Sequence, residues 1–232
     1  MIITDLFQES RDLVDASSVS YPDAQLLRRS NANMEDIVGD LIDADGTWQF
    51  DDTNYTDLPI GTATLVDGQS SYTFDGTFLE IENVKIQNPG GIWMMLNPWD
   101  QSEDDTSIET YQSIKGFPTM YDKEANTISL LPNVLGTSVT LVNGLKVQFK
   151  RTAKLWVTGD IAAGVITPGW ASPFHILLAY KNALPYALSY KKDRVALIQE
   201  EITRIHKALM AHYGNRQKDE RKIMSPSRIN SR

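Results

Sequence analysis

The stretch SVTLVNGLKVQFKR at 138–151 carries the clearest strand signal in the chain. Apolar and polar residues alternate after Gly144, which predicts a strand with one buried face. The two faces would carry Leu145, Val147 and Phe149 on one side and Lys146, Gln148 and Lys150 on the other. Asn143-Gly144 favours a type I′ turn, in which both central residues have positive φ. The stretch therefore predicts a β-hairpin that pairs 138–142 with 145–151.

The same period of two continues toward the N-terminus and fills the middle of the chain. Apolar runs between Gly, Asn, Asp and Pro residues predict further strands at 60–66, 71–74, 77–85, 92–96, 117–121 and 126–131. Asn97-Pro-Trp-Asp100 is typical of a cap that opens a short helix.

Helical periodicity flanks this middle region on both sides. We predict helices over 5–15 and from Ser20 to Gly46, and a helical stretch from Ser172 in which Pro185 should cause a kink or a break. The last helix places one residue every three or four positions on a single seam: Val195, Ile198, Ile202, Ile205, Leu209 and His212. We expect this seam to pack against the N-terminal helices.

These patterns predict an α+β fold. Each helical part alone is too small to bury its apolar face, so the first and last helices are expected to form one bundle. We predict a helical body over 1–58 and 152–214, an inserted antiparallel β-sandwich or barrel-like region over 59–151, and an extended C-terminal arm over 215–232.

Composition excludes several classes of protein. The 232 residues include no cysteine, which rules out disulfides, thiolate nucleophiles and cysteine-bound zinc. The sequence contains no run of about 18 apolar residues, so it predicts no membrane span. The first residues lack the basic and apolar regions of a signal peptide, so we expect none.

Charge is segregated along the chain. Residues 1–110 hold 22 acids and 4 bases, whereas 111–213 hold 12 bases and 6 acids, and 214–232 hold 6 bases and 2 acids. An acidic front half repels nucleic acid and anionic membranes. The basic end is too poor in apolar residues to hold a shape alone, and we expect its cations to contact a partner molecule. These cations are Arg216, Lys218, Arg221, Lys222, Arg228 and Arg232.

Residues typical of catalysis do not form a recognised motif. His206 and His212 lie six positions apart, on different faces of a helix, and His175 sits at a helix start. The adjacent acids Asp51-Asp52 and 103–105 lie in polar loops, whereas glycoside hydrolysis needs two carboxylates fixed across a cleft. We expect no catalytic residue, no metal and no cofactor.

Several stretches, taken in order, carry a resemblance to a known family: ADGTWQFDDTNYTDLP (44–59), ATLVDGQSSYTF (63–74), ISLLP (128–132), GLKVQFKR (144–151) and PGWASPFHILLAYKNALPYAL (168–188). Together with the charged closing helix and its polar arm, they resemble the head–tail adaptor (connector) proteins of tailed bacteriophages, among them the tail-tubular adaptors of short-tailed phages.

This resemblance implies a non-enzymatic structural protein of the virion neck, assembled in the cytoplasm of the host bacterium. Adaptor subunits form a homo-oligomeric ring, usually of about twelve copies, between the portal protein and the tail or nozzle proteins. The helical part would build the ring, the β-region would face the tail, and the arm would reach the portal or a neighbouring subunit. DNA would pass through the channel without sequence-specific binding, and no membrane would be involved.

Two other functions remain open from the residues alone. A β-sandwich module could bind a ligand such as a carbohydrate, with exposed aromatic rings lining a groove. The tryptophans available for this are Trp48, Trp93, Trp99, Trp156 and Trp170. A carboxylate-dependent hydrolase would instead need two facing acids in a cleft, one with a raised pKa.

Overall fold

The computed structural model describes residues 1–44, 50–76, 78–100, 102 and 106–215. Helices lie toward both ends and mainly antiparallel sheets lie between them, which confirms the predicted α+β class. Contacts divide the chain into two compact units. The β unit comprises residues 1–4 and 51–172, and the helical unit comprises the described residues among 5–50 and 173–215.

The helices and strands have the following bounds. The helices are α1 (Ile3–Asp12), α2 (Asp23–Ala44), α3 (Ile108–Ser113), α4 (Thr158–Ala163), α5 (Ile176–Tyr190) and α6 (Val195–Gly214). The strands are β1 (Ile60–Ala63), β2 (Ser71–Thr73), β3 (Phe78–Gln87), β4 (Trp93–Met95), β5 (Asn97–Pro98), β6 (Lys115–Gly116), β7 (Met120–Glu124), β8 (Thr127–Leu131), β9 (Asn133–Val134) and β10 (Leu145–Arg151).

The β unit contains two four-stranded sheets. One has the order β1-β10-β3-β4 and the other the order β2-β8-β7-β5, while β6 and β9 form a separate parallel pair. Burial alternates strictly along β10, with Leu145, Val147, Phe149 and Arg151 buried, which confirms the predicted apolar face. One apolar core contains residues of both sheets, among them Val84, Val147 and Leu130. The two sheets therefore pack face to face.

The predicted hairpin at 138–151 is wrong, because β10 is a central strand. Its two edges are occupied by β1 and β3, and the residues at 138–142 form no strand. Only Asn143 of the predicted turn has positive φ, at 52°. Gly144 is needed for close approach instead, since a Cβ there would lie 1.6 Å from the carbonyl oxygen of Thr140.

The segment after β4, from Asn97 to Ser113, also differs from the prediction. Asn97 and Pro98 do not cap a helix, because they form β5 and pair in parallel with Met120 and Tyr121 of β7. A short helix, α3, follows at Ile108–Ser113 and had no counterpart among the predicted elements.

The β unit is longer than the predicted inserted region of 59–151. The segments on either side of that region bond to each other: the Thr53 amide donates to the Gly169 carbonyl at 3.1 Å, and the Asn54 side chain donates to the Thr167 carbonyl at 2.9 Å. These bonds group 51–58 and 152–172 with the strands instead of with the helices.

In the helical unit, α2, α5 and α6 pack against one another. Helix α2 begins at Asp23, where the Pro22 carbonyl accepts the first helical hydrogen bonds, and its predicted end at Gly46 lies outside the described residues. Helix α6 runs over the predicted residues, but its seam ends on buried Tyr213, whereas His212 is exposed. Pro185 does not break α5, which continues on both sides of it.

A buried polar network joins α2 to α5. The Asn182 side chain donates to the Ser30 hydroxyl at 2.8 Å and accepts from the Asn33 side chain at 2.8 Å. The Tyr21 hydroxyl donates to the Asn182 carbonyl at 2.6 Å. Since Asn182 and Ser30 are fully buried, these bonds fix the register of the two helices: shifting either helix would leave polar groups unpaired.

Candidate functional site

The six basic arm residues predicted to contact a partner lie outside the described residues. Contact with a partner therefore stays a prediction for Arg216, Lys218, Arg221, Lys222, Arg228 and Arg232. Trp48 and the acids at 103–105 also lie outside the described residues. The remaining sequence-predicted groups can be placed.

The Asp51-Asp52 pair is part of a polar cluster of the β unit in which Asp52 and Arg151 are buried. Asp52 is only 3% exposed, and its carboxylate accepts the Asn54 amide at 2.8 Å and the Lys154 amide at 3.0 Å. Burial raises the pKa of Asp52, and the hydrogen bonds from Asn54 and Lys154 oppose that shift. A Cβ at Gly169 would lie 1.9 Å from Asp52 Oδ1, so the backbone approaches this carboxylate closely.

Arg151 is the centre of this cluster. Its side chain is 5% exposed and donates two hydrogen bonds to the Asp51 carboxylate, both 2.8 Å long. It also donates to the carboxylate of Asp57 at 3.1 Å and to its carbonyl at 2.6 Å, and its guanidinium lies 3.7 Å from the ring centroid of Tyr55. Hydrogen bonding to Asp51 raises the pKa of Arg151 above its usual value.

We call Asp51, Asp52, Tyr55, Asp57 and Arg151 the arginine clasp. Its hydrogen bonds join the chain entering the sheets, at 51–57, to the chain leaving them, at 151–154. A hydrolase would need two acids that face a substrate. Here Asp51 faces a guanidinium and Asp52 faces backbone amides, so the geometry favours a structural role for both carboxylates.

The histidines do not come together. His175 is buried at the start of α5. His206 Nε2 lies 2.8 Å from Asp40 Oδ2, which links α6 to α2. His212 contacts two aromatic rings, with centroids 5.4 Å away at Phe174 and 5.2 Å away at Tyr213. Across the described ranges, no group of three or more His, Cys, Asp or Glu side chains is arranged to hold a metal ion.

Most of the described tryptophans are interior residues. Trp99, Trp156 and Trp170 are buried, while Trp93 is half-buried and carries the Lys146 ammonium 4.0 Å from its ring centroid. Stacking on a sugar requires an exposed ring face. Of these four side chains, only Trp93 has substantial exposed surface.

Within each unit, the fold pairs acids from the first half of the sequence with bases from the second half. In the β unit, Asp67 pairs with Lys115 at 2.8 Å and Glu80 with Lys150 at 2.9 Å. In the helical unit, the corresponding pairs are Asp36–Lys181, Asp15–Arg194 and Asp40–His206, the last of which is an ion pair only when the histidine is protonated. These pairs offset part of the acidic excess of residues 1–110.

Sequence reasoning missed the roles of Arg151 and Asn182. Arg151 follows Leu145, Val147 and Phe149 at the same spacing of two residues, so the strand pattern places a charged side chain on the buried face. This mismatch could have indicated a buried ion pair, because a buried charge needs a partner. Asn182 gave no comparable signal in its helical stretch.

Comparison with known proteins leaves the family open. Neither the protein-family models nor the curated proteins contain a match to this sequence. In the part of the chain that the structure describes, no helix has the length and apolar character needed to cross a bilayer.

Proposed function

We propose that this chain is a structural subunit of a tailed bacteriophage, a head–tail adaptor that forms a ring between the portal protein and the tail. The observation that supports it best is the order of elements. Helices from both ends of the chain form one compact unit, and the sheets are inserted between them. This is the layout that the adaptor resemblance implies.

The side-chain chemistry agrees with an assembly role. The arginine clasp binds the chain to itself, and its acids accept hydrogen bonds from protein groups. Apolar side chains are strongly exposed in both units, for example Val19 at 89%, Val165 at 75% and Leu58 at 72%. Large apolar residues on a surface are candidates for burial in an interface.

In the proposed assembly, the basic arm docks on an acidic surface of the portal or of a neighbouring subunit. An arm with few apolar residues gains little by folding on its own, so we expect its cations to gain their contacts from partner acids. Holding an extended segment on a partner costs conformational entropy, and contact along a long surface offsets that cost. DNA crosses the ring through the channel without base-specific contacts.

The test uses the full chain mixed with purified portal protein from the same virus, followed by electron microscopy and light scattering. We expect an added ring of this chain on the portal. Neutralising the arm (R216Q, K218Q, R221Q, K222Q, R228Q and R232Q together) should abolish attachment while the circular dichroism of the chain is unchanged.

A matched control removes two exposed cations of the helical unit, Lys192 and Lys207, as K192Q/K207Q. This variant should attach to the portal like the original chain. The proposal fails if no ring forms on the portal with the original chain. The role of the arm fails if the arm variant binds with unchanged affinity.

A further inference from the structure

Among the described residues, strand β4 is an edge strand of its sheet. It pairs with β3 in the register Lys85↔Met95, Ile86↔Met94 and Gln87↔Trp93, and it is the last strand in the sheet order. The Leu96 amide donates to the Val84 carbonyl and the Asn88 amide donates to the Ile92 carbonyl.

This register determines which backbone groups are available. In an antiparallel pair, hydrogen-bonded and non-hydrogen-bonded residue pairs alternate. The bonds at Leu96 and Ile92 therefore place Met94 in a bonded pair with Ile86. They turn the backbone N–H and C=O of Trp93 and Met95 away from β3, toward the open edge.

The edge is short, with three residues in β4, and it is apolar, whereas many natural edge strands carry charges, proline or bulges. Ile92 is 64% exposed, Met94 45% and Met95 62%. Ile92 and Met94 share the parity of Leu96, which is buried in the core of the β unit. An added strand would extend this core and cover both residues.

The opposite face of the same edge is basic. Lys146 and Lys85 are direct partners on β10 and β3, and Met95 is the next residue across on β4. Like charges directly opposite each other destabilise a sheet. Among the described residues, neither ammonium forms a salt bridge. The Lys146 ammonium lies 4.0 Å from the Trp93 ring centroid, whereas Lys150, four pairs further along β10, contacts Glu80 at 2.9 Å.

We propose that the β4 edge binds an extended acidic segment of a partner protein, which adds to the sheet as a fifth strand. The geometry specifies an alternating sequence. Residues on the face of Lys85 and Lys146 would be acidic, and the residues between them would be aliphatic and cover Ile92 and Met94. Pairing with the same edge of a second copy is disfavoured, because it would bring two basic patches together. The inference does not depend on the adaptor function.

The test measures binding of short synthetic peptides to the full chain by calorimetry and by amide NMR shifts. The probe is a seven-residue peptide of alternating valine and glutamate. One comparison peptide has lysine in place of glutamate, and another has the same composition with its glutamates contiguous. We expect the alternating acidic peptide to bind most tightly and to shift the amides of Trp93 and Met95.

Two variants test the two lysines and the edge backbone separately. K85E/K146E should weaken binding of the acidic peptide by about tenfold and favour the lysine peptide. M95P removes an N–H that points away from β3, so the sheet is retained while peptide binding is lost. The control K123E changes an exposed lysine of β7, in the other sheet, and should bind normally.

The proposal is overturned if the acidic peptide does not bind, or if K85E/K146E and M95P bind it as well as the original chain. It is also overturned if the chain dimerises without peptide and M95P abolishes the dimer, since a second copy would then occupy the edge.

Discussion

Replacing Arg151 by methionine should strongly destabilise the β unit. The arginine side chain is 5% exposed and makes two hydrogen bonds to Asp51, whose side chain is 28% exposed. Methionine retains most of the apolar stem but leaves the Asp51 carboxylate without its cation.

The magnitude follows from the burial of Arg151 and the partial burial of Asp51. Breaking a buried ion pair by removing one partner costs about 3–5 kcal/mol, and partial rehydration of Asp51 places this case at the lower end. Loss of the cation–π contact with Tyr55 adds ~0.5–1 kcal/mol. We therefore expect the free energy of unfolding to fall by about 3–4 kcal/mol.

Urea unfolding followed by tryptophan emission measures this change, because four of the five tryptophans belong to the β unit. With a slope of about 2 kcal/mol/M, the midpoint should fall by about 1.5–2 M. The matched control K123M removes an exposed cation of the same unit and should unfold at the original midpoint.

A double-mutant cycle with D51N tests the mechanism. The double variant should be less destabilised than the sum of the single variants by about 1–2 kcal/mol, because the two side chains act on each other. An R151M midpoint equal to that of the original chain, or strictly additive effects in the cycle, would refute the proposed role of the clasp.

Three further predictions concern other buried groups. Burial raises the pKa of Asp52 above 3.8, so the folded state binds this proton more tightly than the unfolded chain does. The contribution of Asp52 to stability should therefore fall as pH rises from 3.8 through its folded-state pKa. Urea midpoints measured over this pH range should show the decrease in the original chain and lack it in D52N. Gly144→Ala should lower the free energy of unfolding by more than about 2 kcal/mol, because the added Cβ would collide with the Thr140 carbonyl. The control Gly159→Ala, whose Cβ meets open space, should be neutral or stabilising, and thermal unfolding measures both variants. Asn182→Leu should cost about 2–3 kcal/mol by leaving polar partners unpaired, and unchanged thermal unfolding of that variant would contradict the network.

Local patterns predicted the elements whose faces are set by their own periodicity. The burial of β10 alternates as its sequence does, and α6 covers the residues that carry its apolar spacing, although its last buried residue is Tyr213 instead of His212. The errors arose where a tertiary contact overrides a local preference. Asn143-Gly144 has the composition of a hairpin turn, yet β1 and β3 occupy both edges of the following strand.

The candidate site was less accessible to sequence reasoning than the fold. The pair Asp51-Asp52 was recognised as a carboxylate cluster, but its partner Arg151 lies 100 positions away. Adjacent acids can serve catalysis, metal binding or a salt bridge, and only the identity of the facing group distinguishes these roles. That group is a guanidinium for Asp51 and backbone amides for Asp52.

The sequence alone determined the α+β class, the placement of helices toward both ends with strands between them, and the segregation of acids and bases along the chain. These properties follow from composition and from periods of 2 and 3.6 residues, which need no knowledge of distant partners. The tertiary structure decided which strand pairs with β10, how Asn182 is satisfied, and which acid meets which base. Those outcomes depend on contacts between residues far apart in the chain, whose energies no local pattern records.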